Sequence, residues 1–162
     1  MSMKKYLLII VLAGILIVLV SNAGLNSSIS KTPGYCPINK PWEHGGNSIT
    51  VTEAVAVDCY TASDGTEYVA ETDGKILVVK CKVDFASGWT IKNNISVSNA
   101  FGYVNLLCDP IQEMNDGSEM RILLFRLSKD FYSERMDYTM ELYLESGDQN
   151  LEARFDLTPP AN

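Results

Sequence analysis

From Ser48 to Leu157 the chain alternates apolar and polar residues with a period of two. In ITVTEAVAVDC, Ile49, Val51, Val55, Val57 and Cys59 fall on one face, with Thr50, Thr52 and Asp58 on the other. In GKILVVKCKVDF, Leu77, Val79, Cys81, Val83 and Phe85 face one way and Lys80, Lys82 and Asp84 the other. Successive side chains of a strand point to opposite faces, so this spacing predicts half-buried β-strands. Ile95 and Val97 make a short strand, and Val104, Leu106 and Cys108 belong to another. Residues 119–127 are apolar on both faces, as a central strand would be. Residues 138–144 and 151–157 alternate again. Asp64-Gly65, Asp73-Gly74, Asn115-Asp116-Gly117 and Ser146-Gly147-Asp148 punctuate the runs as turns.

About seven strands with turns between them imply an all-β fold, a two-sheet antiparallel sandwich. A closed barrel is the alternative. No helical pattern of 10–15 residues separates the strands, which argues against a parallel α/β sheet. Lys129–Met136 offers at most one helical turn.

The start of the chain reads differently. Lys4 and Lys5 precede an uncharged apolar run, Tyr6 to Val20, and Ser21-Asn22-Ala23 supplies the small residues of a cleavage site. That layout is an N-terminal hydrophobic helix serving as a signal peptide, or, uncleaved, as a signal anchor over 6–20. Either way the rest of the chain is expected outside the cytoplasm, secreted or at the cell surface. No cysteine directly follows the run, which argues against a lipid anchor. The organisation expected is a leader at 1–23, a Pro/Gly-rich linker at 24–47, a sandwich at 48–158 and a tail at 159–162.

Cleavage would remove two lysines and no acids, moving the net charge from −7 to −9. Without a basic stripe, nucleic acid is not an expected partner. No motif calls for a cofactor. The partner expected is an extracellular protein or a cell-envelope ligand.

Cys36, Cys59, Cys81 and Cys108 are even in number and lack a C-x-x-C pair, so in an oxidising compartment they read as disulfide candidates rather than zinc ligands. Three pairings are possible. One joins Cys81 to Cys108 and leaves Cys36 to tie the linker to Cys59.

In YCPINKPWEHGG, Cys36 and the lone histidine, His44, are the ingredients of a thiol nucleophile and base. A Pro/Gly-rich segment does not hold such a pair rigidly, and Trp42 reads as a plug onto the sandwich. The carboxylates Asp64, Glu67, Glu71 and Asp73 suggest a calcium loop but lack the full D-x-D-x-D-G pattern. An acidic pair from this loop, or Cys36 with His44, is what a secreted enzyme would use. Trp89, Tyr103, Tyr132, Tyr138 and Tyr143 would make either an aromatic binding patch or core. A subunit of a membrane complex, held by residues 6–20, is a third reading.

The strands ITVTEAV, GKILVVKCKV, RILLFRLSKDF and LEARFDL, in that order, resemble the telokin-like, immunoglobulin-like domain of secreted or surface-tethered bacterial proteins. The resemblance spans about 48–158. It implies an immunoglobulin-like sandwich in an extracellular setting and supplies no catalytic residues. The chain departs from that family at Asp84-Phe85-Ala86, where asparagine is common, and in its four cysteines. A non-enzymatic binding or structural module is therefore the leading expectation.

Overall fold

The computed structural model describes residues 34–159. The leader at 1–23, the first part of the expected linker and the end of the tail lie outside these residues. Thirteen strands run in order: β1 (Cys36–Pro37), β2 (Pro41–His44), β3 (Asn47–Val57), β4 (Cys59–Thr61), β5 (Glu67–Val69), β6 (Lys75–Asp84), β7 (Thr90–Ile91), β8 (Ser96–Asn99), β9 (Gly102–Asn105), β10 (Ile111–Asn115), β11 (Ser118–Leu127), β12 (Thr139–Ser146) and β13 (Gln149–Asp156). No helix occurs among the described residues.

Two larger sheets form. The first is ordered β10-β11-β6-β3-β2, and the second β1-β13-β12-β8-β9 with β7 also on β12. All pairings are antiparallel except β1 beside β13. One apolar core contains the inner faces of both, with Ile49, Leu77, Val79 and Phe125 from the first and Val97, Met140, Leu142 and Phe155 from the second. The expectation of an all-β, antiparallel protein holds.

The first sheet carries a second cluster on its outer face. Ile76, Val78, Ile122 and Leu124 are buried there beneath Tyr60, Tyr68, Leu107 and Ile111. The small β4–β5 hairpin supplies the two tyrosines. Strands β6 and β11 are thus covered on both faces, which is why ILVV at 76–79 and ILLF at 122–125 are continuously apolar. Each such side chain removed from water contributes about 2 kcal/mol.

Three expectations need correction. Val55 and Val57 do not share a face with Ile49 and Val51. The β3–β6 register shifts between Val51 and Glu53, and the extra residue, Thr52, donates its hydroxyl to the Lys80 carbonyl at 3.1 Å. A bulge reverses the phase of a strand, so Ala54 packs on the core while Val57 packs on the outer cluster. The end of the expected linker is not irregular: β1 and β2 lie within it. β1 pairs with β13 in one sheet, β2 with β3 in the other, so residues 36–44 strap both layers. Residues 104–108 are not one strand. β9 ends at Asn105, Leu106 makes a single bridge to Phe125 in the opposite sheet, and the chain crosses over. As expected, Lys129–Met136 forms no more than turns, with the Ser128 carbonyl accepting from the N–H groups of Phe131 and Tyr132.

Gly74 is set by packing. A Cβ there would lie 2.5 Å from the Leu127 carbonyl oxygen, so the turn into β6 can close on β11 only with glycine.

Candidate functional site

The four cysteines are free. The expected disulfides are corrected by the layering. Cys81 sits in the core between the sheets, whereas Cys108 packs on the outer cluster, on the far side of the first sheet. Cys36 lies on β1 in the second sheet, and Cys59 is exposed on the β4–β5 hairpin outside the first. No pair is within bridging distance. The strap predicted from Cys36 exists, but strand pairing makes it.

Cys36 does not engage His44. Its thiol donates to the Lys40 carbonyl at 3.2 Å, and burial raises its pKa, which disfavours the thiolate. β1, with Cys36, and β2, with His44, belong to different sheets. His44 is exposed, its ring 6.1 Å from that of Trp42. Trp42 is half-buried against the core, as a plug would be.

The acidic residues of this segment are taken up by separate partners. Asp64 accepts from the Thr66 N–H at 2.9 Å, capping its own turn, and this bond holds its pKa below the usual carboxylate range. Asp73 pairs with Lys129 at 3.2 Å, and Glu71 lies 3.9 Å from Arg126. Among the described residues no three carboxylate, histidine or cysteine side chains are grouped to hold a metal ion. The aromatic residues do not gather either: Tyr138 is fully buried, Tyr103 is 69% exposed on β9, and Trp89 lies in the loop after β6.

Trp89 marks the most developed concavity. Four connections converge at its end of the sandwich: the β2–β3 turn, the loop 85–89, the β10–β11 turn and the β12–β13 turn. Asn47, the buried polar residue among those described, ties two of them. Its amide donates to the His44 carbonyl at 3.2 Å, and its oxygen accepts from the Ala86 N–H at 3.1 Å. Gly88 adopts φ +84°, a conformation that favours glycine, and brings the loop to within 3.4 Å, by the position of a Cβ, of the Ser146 hydroxyl.

A groove of about 680 Å³ lies between residues 82–89 and the β10–β11 hairpin. Glu119 and Arg121 line it as an ion pair. Both occupy the face of β11 that continues as Leu123, Phe125 and Leu127 in the core. The sequence carries this signal, a charged pair in phase with a core row. A second groove, about 400 Å³, lies across Trp89 and is lined by His44, Gln149, Asn150 and Leu151. Asn47 carries no such signal, because its role depends on a partner far along the chain.

Comparison with protein-family models, with characterised proteins and with solved structures finds no match for this chain.

Proposed function

We propose that this chain is an extracellular, non-enzymatic, immunoglobulin-like module that binds its ligand with the loops around Trp89. The sheet orders β10-β11-β6-β3 and β13-β12-β8-β9 correspond to the D-E-B-A and G-F-C-C′ layers of that fold. Tyr138 supports the same reading. It stands just before β12, the counterpart of strand F, and its hydroxyl bonds back to the preceding loop, as in a tyrosine corner. The extracellular setting rests on Lys4, Lys5 and the apolar run to Val20.

The observation that carries the function is the convergence of four connections on Trp89, held by buried Asn47. Loops fixed on a rigid sheet scaffold are where such folds place recognition. The thiol and imidazole that an enzyme would use are turned to other partners.

Binding to isolated cell-envelope fractions tests the reading. Exported protein is expected to be retained, and replacing Gln149 and Asn150 by alanine is expected to reduce retention. Replacing Ser63 and Thr66, in the β4–β5 turn, should not. Retention that follows the β4–β5 turn instead would overturn the assignment of the binding end. A hydrolytic activity lost in His44→Ala or Cys36→Ala would overturn the non-enzymatic reading.

A further inference from the structure

The groove walls carry an unusual charge pattern. Glu119 and Arg121, on the core-side face of β11, line the larger groove as one anion and one cation, while the Lys82 and Asp84 side chains alternate to the opposite face of the sheet, so the pair presents a formal charge of zero in a chain of net charge −7. Arg121 is already paired with Glu119, and its side chain is only 17% exposed. An anionic ligand would have to displace that carboxylate, and a cationic ligand that guanidinium. Neither sign of ligand is favoured by the groove as a whole.

A large apolar ligand is also disfavoured, because the walls are mainly polar and no side of the groove is closed by the second sheet. What remains is a neutral ligand rich in groups that both donate and accept. The paired Glu119 carboxylate and Arg121 guanidinium, with the Gln149 and Asn150 amides, meet that need, since each presents two or more hydrogen-bonding sites in a plane. The smaller groove has the same character without ions: His44, Gln149 and Asn150 line it beside Trp89.

Trp89 is common to both grooves. Trp89 is half-buried, packs against the core, and is part of the wall of each groove. An indole held this way offers a flat apolar surface flanked by polar side chains. The axial C–H face of a pyranose ring is its chemical complement, with hydroxyls around the rim. Two grooves meeting at one ring suit a linear chain of such units better than a single one.

We propose that the two grooves bind a neutral oligosaccharide across Trp89, with its sugar hydroxyls held by Glu119 and Arg121 on one side and by Gln149 and Asn150 on the other. This deepens the binding-module reading and rests on it.

The test uses the full chain with Trp42→Phe, which leaves Trp89 as its one tryptophan. Cellohexaose, N-acetylated chitohexaose and maltohexaose are titrated while tryptophan emission is followed, and heats of binding are measured on the unsubstituted protein. At least one sugar is expected to give a saturable emission change and a matching heat. Trp89→Ala should weaken that binding about tenfold or more, equivalent to at least one aromatic contact. Gln149→Ala and Asn150→Ala, both at exposed positions, should each weaken it about threefold with an unchanged circular-dichroism spectrum. No saturable response to any of the three sugars would overturn the oligosaccharide assignment, as would binding that Gln149→Ala, Asn150→Ala and Trp89→Ala all leave intact. A saturable response to a charged decapeptide alone would overturn the sugar assignment and leave the binding-module reading standing. Release of shorter sugars with new reducing ends would overturn the non-enzymatic reading and leave the site in place.

Discussion

Asn47 and Ala86 stand 39 residues apart in the chain, yet one hydrogen bond from the Ala86 N–H to the Asn47 side-chain oxygen joins the β2–β3 turn to the loop after β6. Asn47 is 2% exposed, and both of its side-chain hydrogen bonds are part-buried. Asn47→Ala removes one partner each from the Ala86 N–H and the His44 carbonyl in a part-buried setting. The expected cost is about 1–3 kcal/mol in urea-induced unfolding. Amide exchange should quicken most in residues 85–89. A loss of stability below about 0.3 kcal/mol would mean that Asn47 does not organise this end.

What the sequence disclosed follows from how local its signals are. Alternation is local, so the strands at 75–84, 118–127, 139–146 and 149–156 were legible. The bulge at Thr52 was not, because it depends on how β3 meets β6, and it reversed the faces of Val55 and Val57. The layer to which Cys108 belongs depends on where the chain crosses between sheets, at Leu106. Parity alone placed it in the same core as Cys81. The β1 and β2 straps were hidden because Pro37 and Pro41 signal irregular chain, although proline is tolerated at sheet edges, where both strands lie. At the candidate site, Trp89 was visible as an aromatic residue but not as the meeting point of two grooves.

The cysteines should differ in reactivity in the order of their exposure. Cys59 is exposed, Cys36 and Cys108 are half-buried, and Cys81 is fully buried. A thiol reagent in native buffer is expected to label Cys59 first and Cys81 only on unfolding, with a mass unchanged by reductant. A mass gain of about 2 Da on reduction, the two hydrogens taken up when a bridge opens, would contradict the layering of Cys81 and Cys108 on opposite faces.

Cys81 also predicts a pH dependence. Burial pushes its thiol from 9.0 up to about 12. The unfolded chain therefore loses this proton first as pH rises. The stability it contributes is fully present below pH 9 and is lost between pH 9 and about 12. The loss across that window is on the order of 4 kcal/mol. Comparing urea midpoints with those of Cys81→Ala isolates this group, because Tyr138, whose pKa burial also raises, is present in both proteins. Parallel alkaline profiles would sink the prediction.

Tyr138 anchors the turn region before β12 through its hydroxyl. It accepts from the Ser133 N–H at 2.6 Å and donates to the Phe131 carbonyl at 3.2 Å. Tyr138→Phe keeps the ring stacked on Phe131, whose centroid is 5.8 Å away. The loss measured is then that of the hydroxyl alone, expected at about 1–3 kcal/mol in thermal or urea unfolding. An unchanged midpoint would mean that the corner is held by ring packing and not by these two bonds.

Met140 occupies an informative place relative to Tyr138. In immunoglobulin-like sandwiches with an inter-sheet bridge, the corner tyrosine precedes the second cysteine by two residues, and the first cysteine lies on strand B. Here the residue two beyond Tyr138 is Met140, and the inward cysteine of β6, which the proposed immunoglobulin-like reading makes strand B, is Cys81. Both are fully buried in the same core, on facing sheets. On the proposed immunoglobulin-like reading, half of the bridge is present, with a methionine filling the other half. Met140→Cys is expected to form a disulfide with Cys81 under mild oxidation, detected as a reductant-sensitive mass difference. Closing a loop of roughly 60 residues would stabilise the oxidised form by up to about 4 kcal/mol, less the packing lost with the methionine side chain. The comparison that isolates the bridge is oxidised against reduced Met140→Cys, since the lost packing is common to both. If the variant folds but no bridge forms at any oxidant ratio, strands β6 and β12 are not the B and F strands of an immunoglobulin-like sandwich.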